Sequence, residues 1–113
     1  MTGGRHGYGA KLSNIFSKTF TIDTVDSKRR LRYTQTWNNN MTQAGEPRIT
    51  KLDNGSKSNG TKVKDYTCIT FVPDMQRLSE DPNVTSIDEQ DYAVMCRRVV
   101  DAAGCAGESC KCI

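Results

Sequence analysis

Four glycines within seven positions stand directly before a helical pattern, and this run restricts the possible folds more than any other feature. They are Gly3, Gly4, Gly7 and Gly9. Because glycine has no Cβ, its backbone can adopt positive φ values and approach a ligand closely. In residues 10–17 the apolar side chains recur at the spacing of one helical face. The segment therefore predicts a glycine loop that opens into a helix N-terminus.

A helix N-terminus preceded by glycines is suited to phosphate groups. The first N–H groups of a helix have no partner inside it and point outward together. Arg5 and Lys11 add two positive charges beside them. The run matches neither the dinucleotide fingerprint nor the P-loop, because its order is G-x-x-G-x-G and Ala10 precedes the lysine. A glycine-rich terminus that binds nothing is the alternative interpretation.

Alternating residues further along predict an antiparallel sheet. Residues 19–24 and 31–37 form a predicted hairpin across a turn at 26–28, with Tyr33 and Trp37 in the sheet core. Residues 48–52 and 66–72 are two more predicted strands. Residues 53–64 contain almost nothing apolar, which predicts a loop.

One long helix is predicted near the C-terminal end. Ser86 and Glu89 have the spacing of a capping box, and Gly104 is the predicted C-cap. Cys110 and Cys112 alternate around a lysine and predict the start of a strand. Together these elements predict an α+β fold: part of a two-layer α/β sandwich with a mixed, mainly antiparallel sheet and helices on one face.

Composition excludes some classes of protein. A mean hydropathy of −0.64 and 26% charged residues argue against a membrane protein, and a formal charge of +3 is too small to indicate nucleic-acid binding. Five cysteines without an export signal predict reduced thiols in an intracellular protein. Three of them lie close together in the sequence, but they contain no C-x-x-C pair. Their spacing therefore does not predict a zinc site. The basic cluster at 28–32 is a candidate for phosphate contact, with a solvated turn as the alternative.

Several blocks of the sequence resemble, in order, one region of the eukaryotic type II DNA topoisomerases. Residues 2–12 and 14–17 are similar to the G-x-x-G-x-G box that forms the ATP lid in the gyrase, heat-shock-90, histidine-kinase and MutL (GHKL) ATPase superfamily. Further similar blocks lie at residues 35–37, 40–41, 44–46, 65–71, 73–74 and 97–104. The resemblance covers almost the whole chain, and residues 53–64 look like a variable insertion.

The resemblance implies which residues bind ATP. The residues that wrap the triphosphate are Gly4, Arg5, His6, Gly7, Tyr8, Gly9, Ala10 and Lys11. In the family the glycine amides bind phosphate oxygens, the lysine reaches the phosphates, and a strand threonine, here Thr67, lies beside the adenine. Position 6 is usually Asn in the family, so His6 donates with a different geometry. The resemblance implies no catalytic residue and no metal ligand in this chain.

The resemblance also implies that residues 1–113 are the C-terminal half of a GHKL-type ATPase domain. The lid loop and helix would be residues 1–17, and the sheet and long helix residues 18–113. In the family the general base and the Mg²⁺ ligand lie upstream of the lid, and much of the DNA path lies downstream. We therefore expect a nuclear, homodimeric parent enzyme that uses ATP and Mg²⁺ to pass one DNA duplex through another. We expect no membrane among its partners. We expect this segment alone to be inactive, with one face of its sheet uncovered.

Two alternatives are left open. One is another ATPase of the same superfamily, such as a gyrase B-like subunit, although the blocks around Trp37 and at 66–71 argue against it. The other is a non-enzymatic module that binds nucleic acid weakly through residues 28–32.

Overall fold

The computed structural model describes residues 4, 6–52, 63–108 and 110–113 of the 113-residue chain. Arg5 and most of the loop expected at 53–64 lie outside the described residues. The elements follow in the order α1 (Tyr8–Ile15), β1 (Ser17–Asp26), β2 (Leu31–Asn38), β3 (Gln43–Ala44), β4 (Arg48–Lys51), β5 (Tyr66–Pro73), α2 (Met75–Leu78) and α3 (Glu89–Ala106).

The sheet is antiparallel at every described pairing, which agrees with the alternating pattern of the sequence. Its order is β3-β2-β1-β5, and β4 also pairs with β2. Strand β1 is central, because it pairs along its length with both β2 and β5. The predicted hairpin forms with Asp26 opposite Leu31. The α+β prediction is confirmed, and the two-residue strand β3 and the short helix α2 are additions that the sequence did not indicate.

The core of the sheet is a row of aromatic rings on one face. Phe20 is 2% exposed, and its ring centroid lies 6.2 Å from that of Trp37 and 6.3 Å from that of Phe71. These three residues are opposite one another on β2, β1 and β5, so their side chains share a face. Ile69 and Phe71 on this face stay about half exposed. The face is therefore well covered at Phe20 and only partly covered on β5.

Helix α1 lies against β1 and β5, but it buries an unexpected residue. Its apolar side chains, Leu12, Ile15 and Phe16 just beyond it, are 36% to 52% exposed, whereas Asn14 is 4% exposed. Ser17, the first residue of β1, is also buried and donates from its hydroxyl to the Ser13 carbonyl. The helix is therefore held to the sheet mainly through polar groups near its C-terminal end.

Helix α3 differs from the prediction at both ends. Asp88 is its N-cap and accepts from the Asp91 amide at 2.7 Å, so the predicted capping box of Ser86 and Glu89 is wrong. The helix continues through Gly104 and ends before Gly107, because Gly107 adopts the positive φ (71°) that ends it. No residue of α3 is buried.

The predicted strand at Cys110 and Cys112 is wrong for the part of the chain that the structure describes, where 110–113 has no regular structure. The five cysteines are free and exposed. None of the described helices combines the length and the apolar character needed to cross a bilayer.

Candidate nucleotide-binding site

The glycine run leads into an uncapped helix N-terminus, but α1 begins at Tyr8 and ends at Ile15, two residues earlier at each end than the predicted stretch 10–17, so Gly9 lies inside the helix. Gly7 is the residue before α1 and adopts a left-handed conformation, with φ 68° and ψ 12°. No side chain caps the helix, and its first turn carries no acidic residue. The first amides of a helix have no acceptor within it, and they carry the positive end of the helix dipole. The N-terminus of α1 is therefore open to an anion.

The side chains around this terminus are exposed. Lys11 is the fourth residue of α1 and lies in its first turn. His6 and Tyr8 lie next to each other, with ring centroids 5.8 Å apart, and Tyr8 is 66% exposed. A Cβ added at Gly4, Gly7 or Gly9 would meet no atom within 4 Å. The structure thus brings these lid residues together with Ala10 on one open surface, while Arg5 lies outside the described residues.

The other end of α1 is fastened by a polar cluster that the sequence analysis missed. The Asn40 side-chain amide donates to the Ile15 carbonyl at 2.9 Å and to the Asp74 carboxylate at 3.1 Å. The Asp74 amide donates to the Phe16 carbonyl at 2.8 Å, and the Asn40 amide donates to the Ser17 carbonyl at 3.1 Å. These bonds supply donors for carbonyls at the end of the helix. We call this group the α1 clamp.

The turn that carries Asn40 has an unusual backbone. Asn39, Asn40 and Met41 are three consecutive non-glycine residues with positive φ, at 53°, 57° and 68°. Asparagine tolerates this region better than most residues, so the run of asparagines at 38–40 was the available sequence signal. The conformation directs one asparagine towards α1 and β5, a contact that only the folded chain reveals.

Thr67 lies at the far end of the sheet from α1. It pairs with Thr24, whereas α1 joins β1 at Ser17. Seven residues of strand span about 23 Å, and the eight residues of α1 span only about 12 Å. Thr67 therefore cannot contact the same phosphate as the lid, which is consistent with a role at the other end of a nucleotide.

The hydrogen bonds of Thr67 determine what it can offer a ligand. The Thr24 hydroxyl donates to the Tyr66 carbonyl at 2.9 Å and lies 3.0 Å from the Thr67 hydroxyl. Because Thr24 has a single hydroxyl proton, Thr67 is the donor in the second bond. Thr67 then has no proton left to give, and its exposed oxygen can only accept a further hydrogen bond.

The basic cluster at 28–32 surrounds the β1–β2 turn and is partly paired. Arg32 donates twice to Asp23, at 2.9 and 2.6 Å, and the Tyr66 hydroxyl donates to the same carboxylate at 3.2 Å. The hydrogen bonds from Arg32 hold the pKa of Asp23 below its ordinary value. Hydrogen bonds from the amide and guanidinium of Arg29 likewise lower the pKa of Asp26.

Among the described residues, no three His, Cys, Asp or Glu side chains are grouped so that they could hold a metal ion. A groove of about 260 Å³ beside α1 is lined by apolar residues and two serines, so it offers phosphate no charged partner. The lid therefore presents an uncapped helix N-terminus with one lysine in its first turn.

Comparison with known proteins identifies the relatives of this chain. It is 44% identical over 110 residues to DNA topoisomerase 2 of Arabidopsis thaliana, an alignment that covers 97% of this chain. The chain is homologous to part of eukaryotic DNA topoisomerase 2. The mitochondrial DNA topoisomerase 2 of Dictyostelium discoideum is 43% identical over 109 residues, which are 96% of the chain. The family resemblance inferred from the sequence is confirmed, and no family model matches the chain.

Solved topoisomerase structures show the same fold. The ATPase and transducer domains of DNA topoisomerase II from Balamuthia mandrillaris match with a TM-score of 0.72 and 51% identity, over 90% of this chain and 24% of that one. The chain spans only 7% of the Arabidopsis topoisomerase and 8% of the Dictyostelium one. The homology therefore concerns one segment of a much longer enzyme.

Proposed function

We propose that this chain is the lid-bearing, C-terminal half of a GHKL-type ATPase domain and that it binds the triphosphate of ATP. The lid loop and helix would occupy residues 1–17, and the sheet and long helix residues 18–113. The observation that carries the proposal is the left-handed Gly7, which opens an uncapped α1 N-terminus with Lys11 in its first turn.

Each lid residue has a role that follows from its position. The amides at the start of α1, from Tyr8, Gly9 and Ala10, donate to phosphate oxygens. Lys11 adds a full charge and reaches the same oxygens from the first turn. Gly4 and Gly7 keep the backbone free of side chains where the phosphates approach. His6, beside Tyr8, donates from its ring, and Arg5 supplies a second cation.

Thr67 serves the adenine end of the nucleotide in this proposal. Its hydroxyl proton is engaged by Thr24, so its oxygen accepts from the amino group of the base or from a bridging water. The separation of Thr67 from α1 along β1 leaves room for the ribose between them. Adenine offers a donor at this place, whereas guanine would present a carbonyl oxygen and leave two acceptors facing each other.

The parent enzyme in this proposal is a type II DNA topoisomerase, an ATP-dependent isomerase that passes one DNA duplex through another as a homodimer in the nucleus. Magnesium, the general base and the DNA-cleaving residue belong to segments outside this chain. Because those groups lie outside this segment in the proposal, we expect the segment by itself to bind ATP without hydrolysing it. One relative is named as mitochondrial, so the nuclear assignment needs its own test. Microscopy of the tagged parent enzyme provides that test.

Titration with ATP by calorimetry tests the binding proposal. We expect the full chain to bind ATP more tightly than AMP, because the lid contacts the outer phosphates. Lys11→Ala should weaken ATP at least tenfold, the loss of a charge-assisted bond of about 1.5–3 kcal/mol. Lys18→Ala removes an equally exposed lysine beyond α1 and is the matched control. Equal affinities for ATP and AMP, or equal effects of the two substitutions, would contradict the proposal.

A hydrolysis assay tests the second part. We expect no turnover of ATP by the purified chain, with or without Mg²⁺. Turnover that Lys11→Ala abolishes would show that the chain contains a complete catalytic site.

A further inference from the structure

Charge is divided unevenly over the described residues. The end of the sheet beside the β1–β2 turn, which we call the hairpin end, carries seven basic residues and three carboxylates. The basic residues are Lys28, Arg29, Arg30, Arg32, Arg48, Lys51 and Lys64, and the acidic ones are Asp23, Asp26 and Asp65. The other described residues carry six basic and nine acidic side chains. The hairpin end therefore has a net charge of +4 and the rest of the described chain −3.

The fold brings these cations together from three separate segments of the chain. Lys51 on β4 is opposite Leu31, the first residue of β2 after the turn, and Arg48 is opposite Thr34. The Ser27 amide in the turn donates to the Asp65 carboxylate, which places the neighbouring Lys64 beside the turn. Four adjacent strands span about 15 Å across the sheet. The hairpin end is thus one compact positive surface.

Several of these cations are available to a partner. Arg29 and Arg32 are bonded to carboxylates, and Arg30 donates to the Leu52 carbonyl. Four exposed residues form no salt bridge within the described parts of the chain: Lys28, Arg48, Lys51 and Lys64. The paired arginines keep their charge and are themselves about half exposed or more, at 78% and 47% of the side chain.

The hairpin end is remote from the lid, although it adjoins Thr67 at the proposed adenine end of the nucleotide. The turn follows Asp26 and α1 joins at Ser17, at opposite ends of β1. Nine residues of strand separate them by about 30 Å, and the eight residues of α1 recover at most about 12 Å. At least about 18 Å, or about two Debye lengths at physiological salt, therefore lie between the turn and the lid. A polyanion at the hairpin end does not occupy the phosphate-binding end of the nucleotide site.

We propose that the hairpin end binds the phosphate backbone of duplex DNA. Duplex DNA presents one phosphate charge per about 1.7 Å of helix axis, so a rigid surface with four available cations neutralises several phosphates at once. Binding of single strands depends on rows of stacking aromatic rings. At the hairpin end Tyr33 is half-buried and the hydroxyl of Tyr66 is bonded to Asp23, so the surface offers cations rather than a stacking platform. This proposal rests on the proposed function in one respect only: the choice of DNA as the polyanion that binds the positive surface.

Fluorescence anisotropy of a labelled blunt duplex, titrated with the full chain at several salt concentrations, tests it. With four phosphate contacts, the logarithm of the association constant should fall with the logarithm of salt with a slope of about −3.6. Lys28→Ala, Lys51→Ala and Lys64→Ala combined should reduce that slope by about 2.7. The triple variant Arg97→Ala, Arg98→Ala and Lys111→Ala removes the same charge from the opposite part of the chain and should leave the slope within one unit of the parent's. Circular dichroism confirms that both variants are folded.

Three results would overturn the proposal. Equal losses in the two triple variants would mean that only total charge matters. Tighter binding of a single strand of the same length would exclude a duplex surface, and displacement of the duplex by inorganic triphosphate, which has no base, would place the DNA at the lid. If the duplex binds but ATP does not, the nucleotide proposal fails and this one stands. If ATP binds but the duplex does not, this proposal fails and the nucleotide proposal stands.

Discussion

The side-chain amide of Asn40 donates to the carboxylate of Asp74 at 3.1 Å, although 34 residues separate them in the chain. Asp74 is 8% exposed and follows β5 directly, so this bond joins the turn after β2 to the end of β5. The same amide reaches the Ile15 carbonyl at the end of α1. The α1 clamp thus holds the helix whose other end is the proposed phosphate site.

Removing the clamp amide should destabilise the chain. Asn40→Ala leaves a buried carboxylate without this donor, and we expect a loss of about 1–3 kcal/mol in the free energy of unfolding. Urea unfolding followed by the fluorescence of Trp37, the single tryptophan, measures it. Asn38→Ala is the control, because Asn38 is exposed and its side chain makes only a 3.4 Å contact with Thr19. Losses of the same size in both variants would show that Asn40 has no special role.

Core and helix positions should respond very differently to truncation. Phe20 is 2% exposed at the centre of the aromatic row, so Phe20→Ala should cost about 3–5 kcal/mol, and Phe20→Leu a smaller amount if the alanine variant does not fold. Val99 on α3 is 53% exposed, and Val99→Ala should change the free energy of unfolding by less than about 0.5 kcal/mol. A loss above 1 kcal/mol at Val99 would show that α3 is packed against the sheet in solution.

The hairpin should lose stability in acid. The pKa of Asp23 is lowered mainly by the hydrogen bonds from Arg32, so its carboxylate stabilises the folded state above the ordinary aspartate value of about 3.9. That contribution is lost as the pH falls through the lower pKa of the folded state. Unfolding measured from about pH 5 to pH 2 should show a smaller acid destabilisation in Asp23→Asn. Glu46→Gln removes one exposed carboxylate that forms no salt bridge in the described chain and is the control for the loss of a negative charge.

The two central lid glycines should differ when each is replaced by alanine. Gly7 has φ 68°, where an added Cβ is strained, so Gly7→Ala should cost about 1–2 kcal/mol and weaken ATP binding by changing the entry to α1. Gly9 lies within α1 without a positive φ and has open space around it, so Gly9→Ala should gain about 0.5–1 kcal/mol. Stability and ATP affinity are measured on the same two proteins. A stable Gly7→Ala variant with unchanged affinity would contradict the proposed site.

Much of the fold was predictable from local patterns. Alternation in residues 19–24 and 31–37 predicted the central hairpin, and the glycine run predicted a helix after it, which the structure places two residues earlier, from Tyr8. The predicted ends of α3 were wrong. Four residues are acceptable caps: Ser86, Asp88, Gly104 and Gly107. Which of them is used depends on the free energy of the whole helix rather than on the cap alone. Thr67 lies opposite Thr24 because of the register in which the two antiparallel strands pair. The alternating pattern indicates which face each residue occupies, but it does not determine which residues of the two strands are paired.

The sequence by itself determined the class of this protein: the ordered blocks indicated the topoisomerase family, and the glycines before α1 indicated a phosphate site. Only the tertiary structure decided which distant residues support those features. Asn40 and Asp74 meet because two strands bring separate turns to one end of β1, and Lys51 and Lys64 join the hairpin turn through strand pairing. Local patterns depend on neighbours within a few residues, whereas these contacts depend on sheet order and register, which arise only when the whole chain packs.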